Sequence, residues 1–155
     1  MSEFFRYTLS GQDRPFSTLD KELEFVRHYL EIEQIRFGPR LRVSLTRDDE
    51  VAELLVPTLI LQPLVENAVR HGLAPKLYGG SIAITASKQG ELLRLDIADS
   101  GVGIPDPHSR KAGIGLQNVR ERLRVLYRES AQLCIQAGAD GSGTCITLLL
   151  PKHDY

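Results

Sequence analysis

The sequence predicts an α+β fold, a two-layer sandwich in which helices cover one face of a mixed, mostly antiparallel sheet. Segments that alternate apolar and polar residues occur in pairs joined by short turns, which favours antiparallel strands over a doubly wound parallel sheet. Other segments repeat apolar residues every three or four positions, as helices do, and one of them precedes the first strand. A sheet and an N-terminal helix are therefore both expected.

The N-terminal helix is predicted to cover residues 18–37. Its apolar stripe consists of Leu19, Leu23, Val26, Leu30 and Phe37. Ser17 has the side chain of a helix N-cap, with Asp20 as a weak partner in a capping box. Gly38 and Pro39 follow and are expected to end the helix.

A strand and a second helix are predicted next. Residues 41–46 alternate apolar and polar side chains, which is typical of a strand with one buried face. Pro57 suits the first turn of a helix, so a helix is predicted over residues 58–73. Pro63 lies inside that range and leaves two alternatives, because a proline either kinks a helix or marks its true start.

The second half of the chain predicts a hairpin, a glycine-rich loop, a helix and a last pair of strands. The predicted ranges are 81–87 and 92–98 for the hairpin, 99–115 for the loop, 116–127 for the helix, and 132–137 and 144–150 for the last strands.

Composition excludes several classes of protein. The chain of 155 residues carries a formal net charge of −1, and a nucleic-acid-binding protein would usually show a basic excess, so nucleic acid is not an expected partner. No apolar run approaches the ~20 residues of a membrane span, so this segment is not expected to contact a membrane. The two cysteines lack the spacing of a zinc site, and a cytoplasmic compartment with reduced thiols is expected.

Polar residues appear abruptly at the end of the second predicted helix, at Glu66, Asn67, Arg70 and His71. Asn67 and Arg70 are three positions apart, so they share one face of an α-helix. A neutral amide oxygen suits Mg²⁺, which keeps several waters and needs one or two protein ligands beside phosphates. A cation one turn further suits a phosphate. The alternative is an amphipathic helix end with a solvated rim.

A carboxylate followed by glycines ends the second hairpin strand, in the run Asp99-Ser100-Gly101-Val102-Gly103. The Asp99 carboxylate can accept a hydrogen bond from an exocyclic amine such as that of adenine, whereas guanine would present a carbonyl there. A buried acceptor left without a donor costs about 1–3 kcal/mol or more, enough to select a base. The alternative is an Asp-Ser-Gly turn without a ligand.

The third motif is Gly113-Ile114-Gly115-Leu116, which opens the helix predicted over residues 116–127. Backbone N–H groups at the start of a helix bind phosphate. The alternative is a glycine-rich loop of no special function.

Taken together and in this order, the motifs resemble the N, G1 and G2 boxes of the GHKL ATP-binding domain, the Bergerat fold of gyrases, heat-shock chaperones, histidine kinases and MutL. Within this group the chain is most similar to the catalytic end of LytS-type sensor histidine kinases. The similar stretches are residues 29–37, 61–68 and 113–123, with Gly143, Thr144, Ile146 and Pro151 in the closing strand.

The resemblance implies roles around the phosphates. Asn67 would hold a Mg²⁺ ion that bridges the phosphates of ATP, and Glu66 would orient metal-bound water or the reacting groups. Arg70 would contact phosphate, and His71 would lie at the edge of the pocket.

The resemblance also implies roles around the base and a lid. Asp99 would receive the adenine amine, Gly101 and Gly103 would shape the base pocket, and Thr144 would lie near adenine through water. A short ATP lid would cover residues 104–112, beginning at Ile104. By the same resemblance, the phosphate-binding end of the lid would consist of Gly113, Gly115 and Leu116.

By this resemblance, the chain is the catalytic ATP-binding part of a two-component sensor histidine kinase, an enzyme that binds Mg·ATP and donates the γ-phosphoryl to an upstream histidine. Residues 1–40 would be the end of the dimerisation region with a connecting helix, and 41–155 the ATP-binding domain. The implied partners are the dimerisation helices of a homodimer and a response regulator. The expected location is the cytoplasmic part of a membrane-anchored sensor.

Two departures from the family pattern matter. GHKL ATPases carry a glutamate four residues before the metal-binding asparagine, and Pro63 occupies that position, which argues against hydrolysis as the main task. The Phe-Leu-Phe-Asn segment that follows the phospho-accepting histidine in the family is absent, and His28 is instead expected on an exposed helix face. The alternatives are a nucleotide-binding interaction module, as in a degenerate kinase, and a GHKL-type ATPase.

Overall fold

The computed structural model describes residues 15–73, 80–101, 114–138 and 143–152, and for residues 71–73 and 114 it describes the backbone. The strands are β1 (Phe16–Thr18), β2 (Leu41–Arg47), β3 (Leu55–Pro57), β4 (Gly80–Gln89), β5 (Leu92–Asp99), β6 (Gln132–Ala137) and β7 (Thr144–Pro151). The α-helices are α1 (Leu19–Phe37), α2 (Leu61–Asn67) and α3 (Ile114–Tyr127), and a π-helix (Ala68–Leu73) continues α2.

The main sheet has five strands in the order β2-β4-β5-β7-β6. β2 and β4 pair in parallel, and the remaining neighbours pair antiparallel, which confirms the mixed, mostly antiparallel sheet. The register aligns apolar residues across the sheet: Ile84 faces Ile97, Ile97 faces Ile146, and Ile146 faces Ile135. Such cross-strand apolar pairs specify the register, because a slip by one residue would turn them to the other face.

The helices cover one face of this sheet. Alternate residues of the three central strands are buried: Ile82, Ile84, Ala86, Leu93, Leu95, Ile97, Ile146, Leu148 and Leu150. They form one hydrophobic cluster with Leu19, Leu23, Val26 and Leu30 of α1, Leu61, Leu64 and Val65 of α2, and Leu116, Val119 and Leu123 of α3. The intervening strand residues are half-buried or exposed. The predicted two-layer arrangement is therefore confirmed.

The N-cap of α1 is Thr18, and the prediction of Ser17 was wrong. The Thr18 hydroxyl accepts a hydrogen bond from the backbone N–H of Lys21 (3.3 Å). Ser17 pairs with Val56 and Thr18 with Leu55 in a small two-stranded sheet of β1 and β3. Because Thr18 is still extended (ψ 150°), the helix begins at Leu19 and the cap moves by one residue. The predicted end of the helix is confirmed, because Gly38 has φ +67° and its N–H donates to the carbonyl of Gln34.

The predicted helix over residues 58–73 begins later than expected. Pro57 ends strand β3, Leu59 adopts φ +60°, and α2 starts at Leu61. Pro63 therefore lies in the first helical turn, where its missing N–H would have had no partner within the helix. Of the two alternatives for Pro63, the true start of the helix is the correct one.

Glu22 is a carboxylate buried between α1 and the turn before α2. Its side chain accepts hydrogen bonds from the Ser17 hydroxyl (2.9 Å) and from the backbone N–H of Ile60 (3.2 Å). Burial raises the pKa of Glu22 from 4.5 to about 7, although the backbone N–H groups of Leu59 and Ile60 and the charge of Arg122 counteract this. Between about pH 4.5 and about pH 7, the folded protein therefore holds a proton that the unfolded chain releases.

This shift in pKa makes stability depend on pH. Because the pKa of Glu22 is higher in the folded state, its contribution falls as pH rises from the unfolded value of 4.5 through about 7. Between about pH 5 and about pH 8 we expect the free energy of unfolding to fall by about 2 kcal/mol more in the wild type than in Glu22→Gln. Urea unfolding of both proteins at the two pH values measures this difference, and parallel pH profiles would contradict it.

Candidate functional site

Asp99 and Thr144 are direct neighbours where two central strands meet. Asp99 is the last residue of β5 and Thr144 is the first of β7, and the two pair in the antiparallel ladder. Thr144 is buried, and Asp99 continues the alternation of Leu95 and Ile97, so it lies on the side of the sheet that the helices cover. The structure thus brings together two of the predicted site residues, which lie far apart in sequence.

The turn after β5 orients the Asp99 carboxylate. Its Oδ1 accepts a hydrogen bond from the backbone N–H of Gly101 (2.8 Å). Ser100 links the turn to β4, because its N–H donates to the Ser81 carbonyl (3.0 Å) and its hydroxyl accepts from the Ser81 N–H (2.8 Å). The Asp-Ser-Gly turn is therefore present, and it holds the carboxylate in place.

Gly143 packs against this turn, a contact that sequence reasoning missed. It has φ +75°, and a Cβ built on it would overlap the carbonyl of Asp99 and lie 2.9 Å from the Cα of Ser100. Only glycine fits such a close approach at a positive φ. The sequence signal was a glycine directly before a predicted strand, but its neighbour could not be identified from the sequence.

Glu66 and Asn67 end α2, where the helix changes from α to π. The N–H of Ala68 donates to the carbonyls of both Leu64 and Val65, and the π-helix follows. Single π-turns inside helices are frequent at functional sites. Glu66 and Asn67 are half-buried, and the Glu66 carboxylate accepts a hydrogen bond from the amide of Gln62 (3.1 Å).

Arg70 lies within the π-helix and is exposed. The α-helical spacing that would place it on the same face as Asn67 ends at Asn67, so the expectation of a continuous α-helix to residue 73 was wrong. The charges of Arg70 and Glu66 both affect the pKa of the Tyr29 hydroxyl on α1. The pKa of Tyr29 is raised to about 12, chiefly by burial and also by the charges of Glu33 and Glu66, while Arg70 lowers it.

The start of α3 lies beside α2. A Cβ built on Gly115 would lie 4.0 Å from the Cβ of Pro63, and Asn67 is one helical turn further along α2. The first N–H groups of an α-helix have no partner within the helix, so those at the start of α3 are of the kind that binds an anion. Gly115 is exposed, whereas the side chain of Leu116 is buried in the core, so Leu116 can contribute only its backbone.

Some predicted site residues lie outside the described part of the chain. These are Gly103, Ile104 and Gly113, with the rest of the predicted lid over residues 104–112. For His71 the structure describes the backbone, which belongs to the π-helix. Among the described residues no three His, Cys, Asp or Glu side chains group together as metal ligands, and no helix has the length and hydropathy needed to cross a membrane.

The donor set of the site fits a nucleotide and Mg²⁺. A half-buried carboxylate at the end of β5 accepts hydrogen bonds, as the amine of adenine requires. The N–H groups that start α3 provide donors for phosphate, and the Asn67 amide provides the neutral oxygen that suits Mg²⁺. These groups come from the sheet, from α2 and from α3, and the two helices pack against the face of the sheet on which Asp99 and Thr144 lie.

Comparison with known proteins places these features in a family. The family model for histidine kinase-, DNA gyrase B- and HSP90-like ATPases matches residues 36–154, and the histidine kinase model matches residues 1–41. The sensor histidine kinase BtsS of Escherichia coli (strain K12) is 38% identical over 154 residues, which cover 99% of this chain and 27% of BtsS. The sensor protein LytS of Staphylococcus saprophyticus is 34% identical over 165 residues, which cover 99% of this chain and 28% of LytS.

Solved structures of the histidine kinase ThkA share the fold of this chain. Its nucleotide-free catalytic domain superposes with a TM-score of 0.68 at 16% identity, covering 90% of this chain and 97% of that domain. ThkA in complex with the response regulator protein TrrA gives a TM-score of 0.64 at 19% identity, covering 88% of this chain and 41% of that chain. The chain spans about a quarter of the length of the curated relatives that it matches.

Proposed function

Because the chain belongs to the family of histidine kinase-, DNA gyrase B- and HSP90-like ATPases, we propose that it is the catalytic ATP-binding part of a two-component sensor histidine kinase. It binds Mg·ATP and donates the γ-phosphoryl to a histidine on a dimerisation helix. The observation that carries this proposal is the pairing of Asp99 with Thr144 at the end of the central strands, on the face of the sheet that the helices cover. Identity of 34–38% to sensor kinases over nearly the whole chain supports it.

The base and the phosphates have separate binding groups in this proposal. Asp99 accepts the adenine amine through the oxygen that does not bond Gly101, and Thr144 lies near the base through a water. The backbone N–H groups that begin α3, at Gly115 and Leu116, bind phosphate. Asn67 holds Mg²⁺, and Glu66 beside it orients the reacting groups.

The lid and the pocket edge complete the proposed site. By the family resemblance, residues 104–112, together with Gly103 and Gly113, would cover the nucleotide, Arg70 would contact phosphate, and His71 would lie at the edge of the pocket. These assignments depend on the match to the family motifs.

Phosphoryl transfer depends mainly on positioning and charge. A nitrogen of the acceptor imidazole bonds to the γ-phosphorus, the bond from that phosphorus to the bridging oxygen breaks, ADP leaves, and the imidazole loses its proton. When bound, Mg²⁺ screens the charge of the phosphate oxygens. The protein contributes the N–H groups of α3 and the amide of Asn67, both held by elements that pack in the core.

The domain boundaries and partners are part of the same proposal. Residues 1–40 end the dimerisation region and connect it to the ATP-binding domain at 41–155, and the two family matches change over at about the same place. The partners are the dimerisation helices of a homodimer and a response regulator. We propose that this chain is in the cytoplasmic part of a membrane-anchored sensor.

Hydrolysis of ATP is the less favoured function. Pro63 stands where GHKL ATPases carry the glutamate that activates water, and it lies in the first turn of α2 beside Gly115. A proline side chain has no group that takes up a proton.

The test uses this chain, ATP radiolabelled on the γ-phosphate, and a dimerisation-helix fragment of a relative that carries the acceptor histidine. We expect acid-labile label on the fragment and none on the chain itself. His28 is 62% exposed on α1, with Glu24 and Glu31 at 3.9 Å, and is not expected to accept phosphate. Label on the chain that is lost in His28→Gln would contradict this.

Phosphate release without the fragment would favour an ATPase, and ATP binding without any transfer would favour a degenerate kinase.

A further inference from the structure

The carboxylate of Glu22 connects the N-terminal segment of the chain to the helix that carries Asn67. Glu22 lies in the first turn of α1 and is 2% exposed. One of its oxygens accepts from the hydroxyl of Ser17 on β1, and the other accepts from the backbone N–H of Ile60 directly before α2. A single buried side chain thus contacts β1, α1 and the turn that starts α2.

The start of α2 needs such an external contact. Ile60 is the N-cap residue, and its apolar side chain makes no capping hydrogen bond. Leu59 before it adopts φ +60°, a conformation that is strained for a non-glycine residue. Glu22 accepts hydrogen bonds from the N–H groups of both residues, and the Ile60 N–H also points at the carbonyl of Pro57 (3.1 Å). The length of the Glu22 side chain therefore determines where the turn at Leu59 and Ile60 lies.

The carboxylate of Glu22 also interacts with a residue of α3. Arg122 of α3 is half-buried and interacts electrostatically with Glu22. α3 begins with the N–H groups assigned above to phosphate. Both helices that line the proposed phosphate site are thus connected to α1 through the surroundings of Glu22.

We propose that Glu22 is a positioning residue for Asn67, because its hydrogen bonds to the turn at Leu59 and Ile60 set the place of α2. This inference rests on the proposed Mg·ATP function. α2 covers 7 residues, about two turns, so a displacement at its start is carried to Asn67 at its end. Burial of a carboxylate is itself unfavourable, as the raised pKa of Glu22 indicates, so its role is to place the helix rather than to add net stability.

Two variants distinguish the effect of the length of the Glu22 side chain from the effect of its charge. Glu22→Asp keeps the charge and withdraws the carboxylate by one methylene, whereas Glu22→Gln keeps the reach and an oxygen acceptor but loses the charge. Glu24→Asp makes the same chemical change on the exposed face of α1, where the Glu24 side chain is 69% exposed, and serves as the matched control. The readout is the gain in ATP affinity on adding Mg²⁺, measured by calorimetry with Mg²⁺ and with EDTA, on protein shown to be folded by circular dichroism.

We expect Glu22→Asp to lose at least about fivefold of the Mg²⁺-dependent gain, because small misplacements of a binding group are costly. Glu22→Gln and Glu24→Asp should stay within about twofold of the wild type. If Glu22→Asp does not fold, Ser17→Ala carries the test, since it removes the hydroxyl that holds Oε2. We expect it to lower the gain at least about twofold.

The outcomes distinguish this inference from the proposed function. If Glu22→Asp shows the same Mg²⁺-dependent gain in ATP affinity as the wild type, the positioning role is overturned and the Mg·ATP site stands. If only Glu22→Gln loses the gain, the charge of Glu22 matters rather than the length of its side chain, and the positioning role is overturned as well. Absence of any Mg²⁺-dependent gain in the wild type would overturn the proposed function and this inference with it. A lower melting temperature with a wild-type gain would mean that Glu22 is merely structural.

Discussion

Replacing Asp99 by Asn is expected to lower the affinity for ATP about 10- to 100-fold, the range for loss of a hydrogen bond to a charged group. In the wild type, Oδ1 of Asp99 accepts from the N–H of Gly101. An asparagine that keeps this bond through its carbonyl oxygen places its amide nitrogen where the second carboxylate oxygen lies. Two donors, the asparagine amide and the adenine amine, would then face each other.

The same change should reduce the preference for ATP over GTP, because an amide donor suits the carbonyl of guanine. Calorimetric titration of the variant with each nucleotide in the presence of Mg²⁺ measures both effects. Asp96→Asn is the matched control, since Asp96 is a half-buried carboxylate of β5 on the opposite face of the sheet, bonded by Arg94 and Thr147. Wild-type affinity in Asp99→Asn would show that the carboxylate only stabilises its turn.

Asn67→Ala is expected to abolish most of the Mg²⁺-dependent gain in ATP affinity. The amide oxygen is the protein ligand that the proposal assigns to the ion, and alanine has no oxygen to replace it. The fold should persist, because alanine favours helix and Asn67 is the last residue of α2. Affinity measured with Mg²⁺ should then fall to within about twofold of the affinity measured in EDTA.

Gln132→Ala is the control for this variant, because it removes an exposed amide on β6, the edge strand of the sheet. The control should keep the full gain. If Asn67→Ala binds Mg·ATP as tightly as the wild type, Asn67 is a polar residue at a helix end and the metal assignment is wrong.

Periodic patterns predicted the long elements well. Residues 93–97 of β5 and 146–148 of β7 alternate apolar and polar side chains, and α1 has both an apolar stripe and a glycine at its end, so local sequence indicates these elements. β1 and β3 have three residues each, too few to show a period. Pro57 misled the prediction because proline suits both the first turn of a helix and the end of an edge strand.

The candidate site was predictable in its residue types but not in its contacts. Asp99 was predicted from a strand followed by glycines, yet its pairing with Thr144 depends on the register between β5 and β7. Gly143 and Glu22 act on elements distant in sequence, so no local pattern could identify them. The π-helix after Asn67 likewise leaves no periodic signal in so short a segment.

The central claim is that this chain holds an adenine nucleotide against Asp99, and titration of the unmodified chain with ATP and with GTP, each with Mg²⁺, tests it most directly. We expect the dissociation constant for ATP to be at least about tenfold lower than that for GTP, because guanine would set its carbonyl against the Asp99 carboxylate. Equal affinity for the two nucleotides, or no binding of either, would contradict the claim.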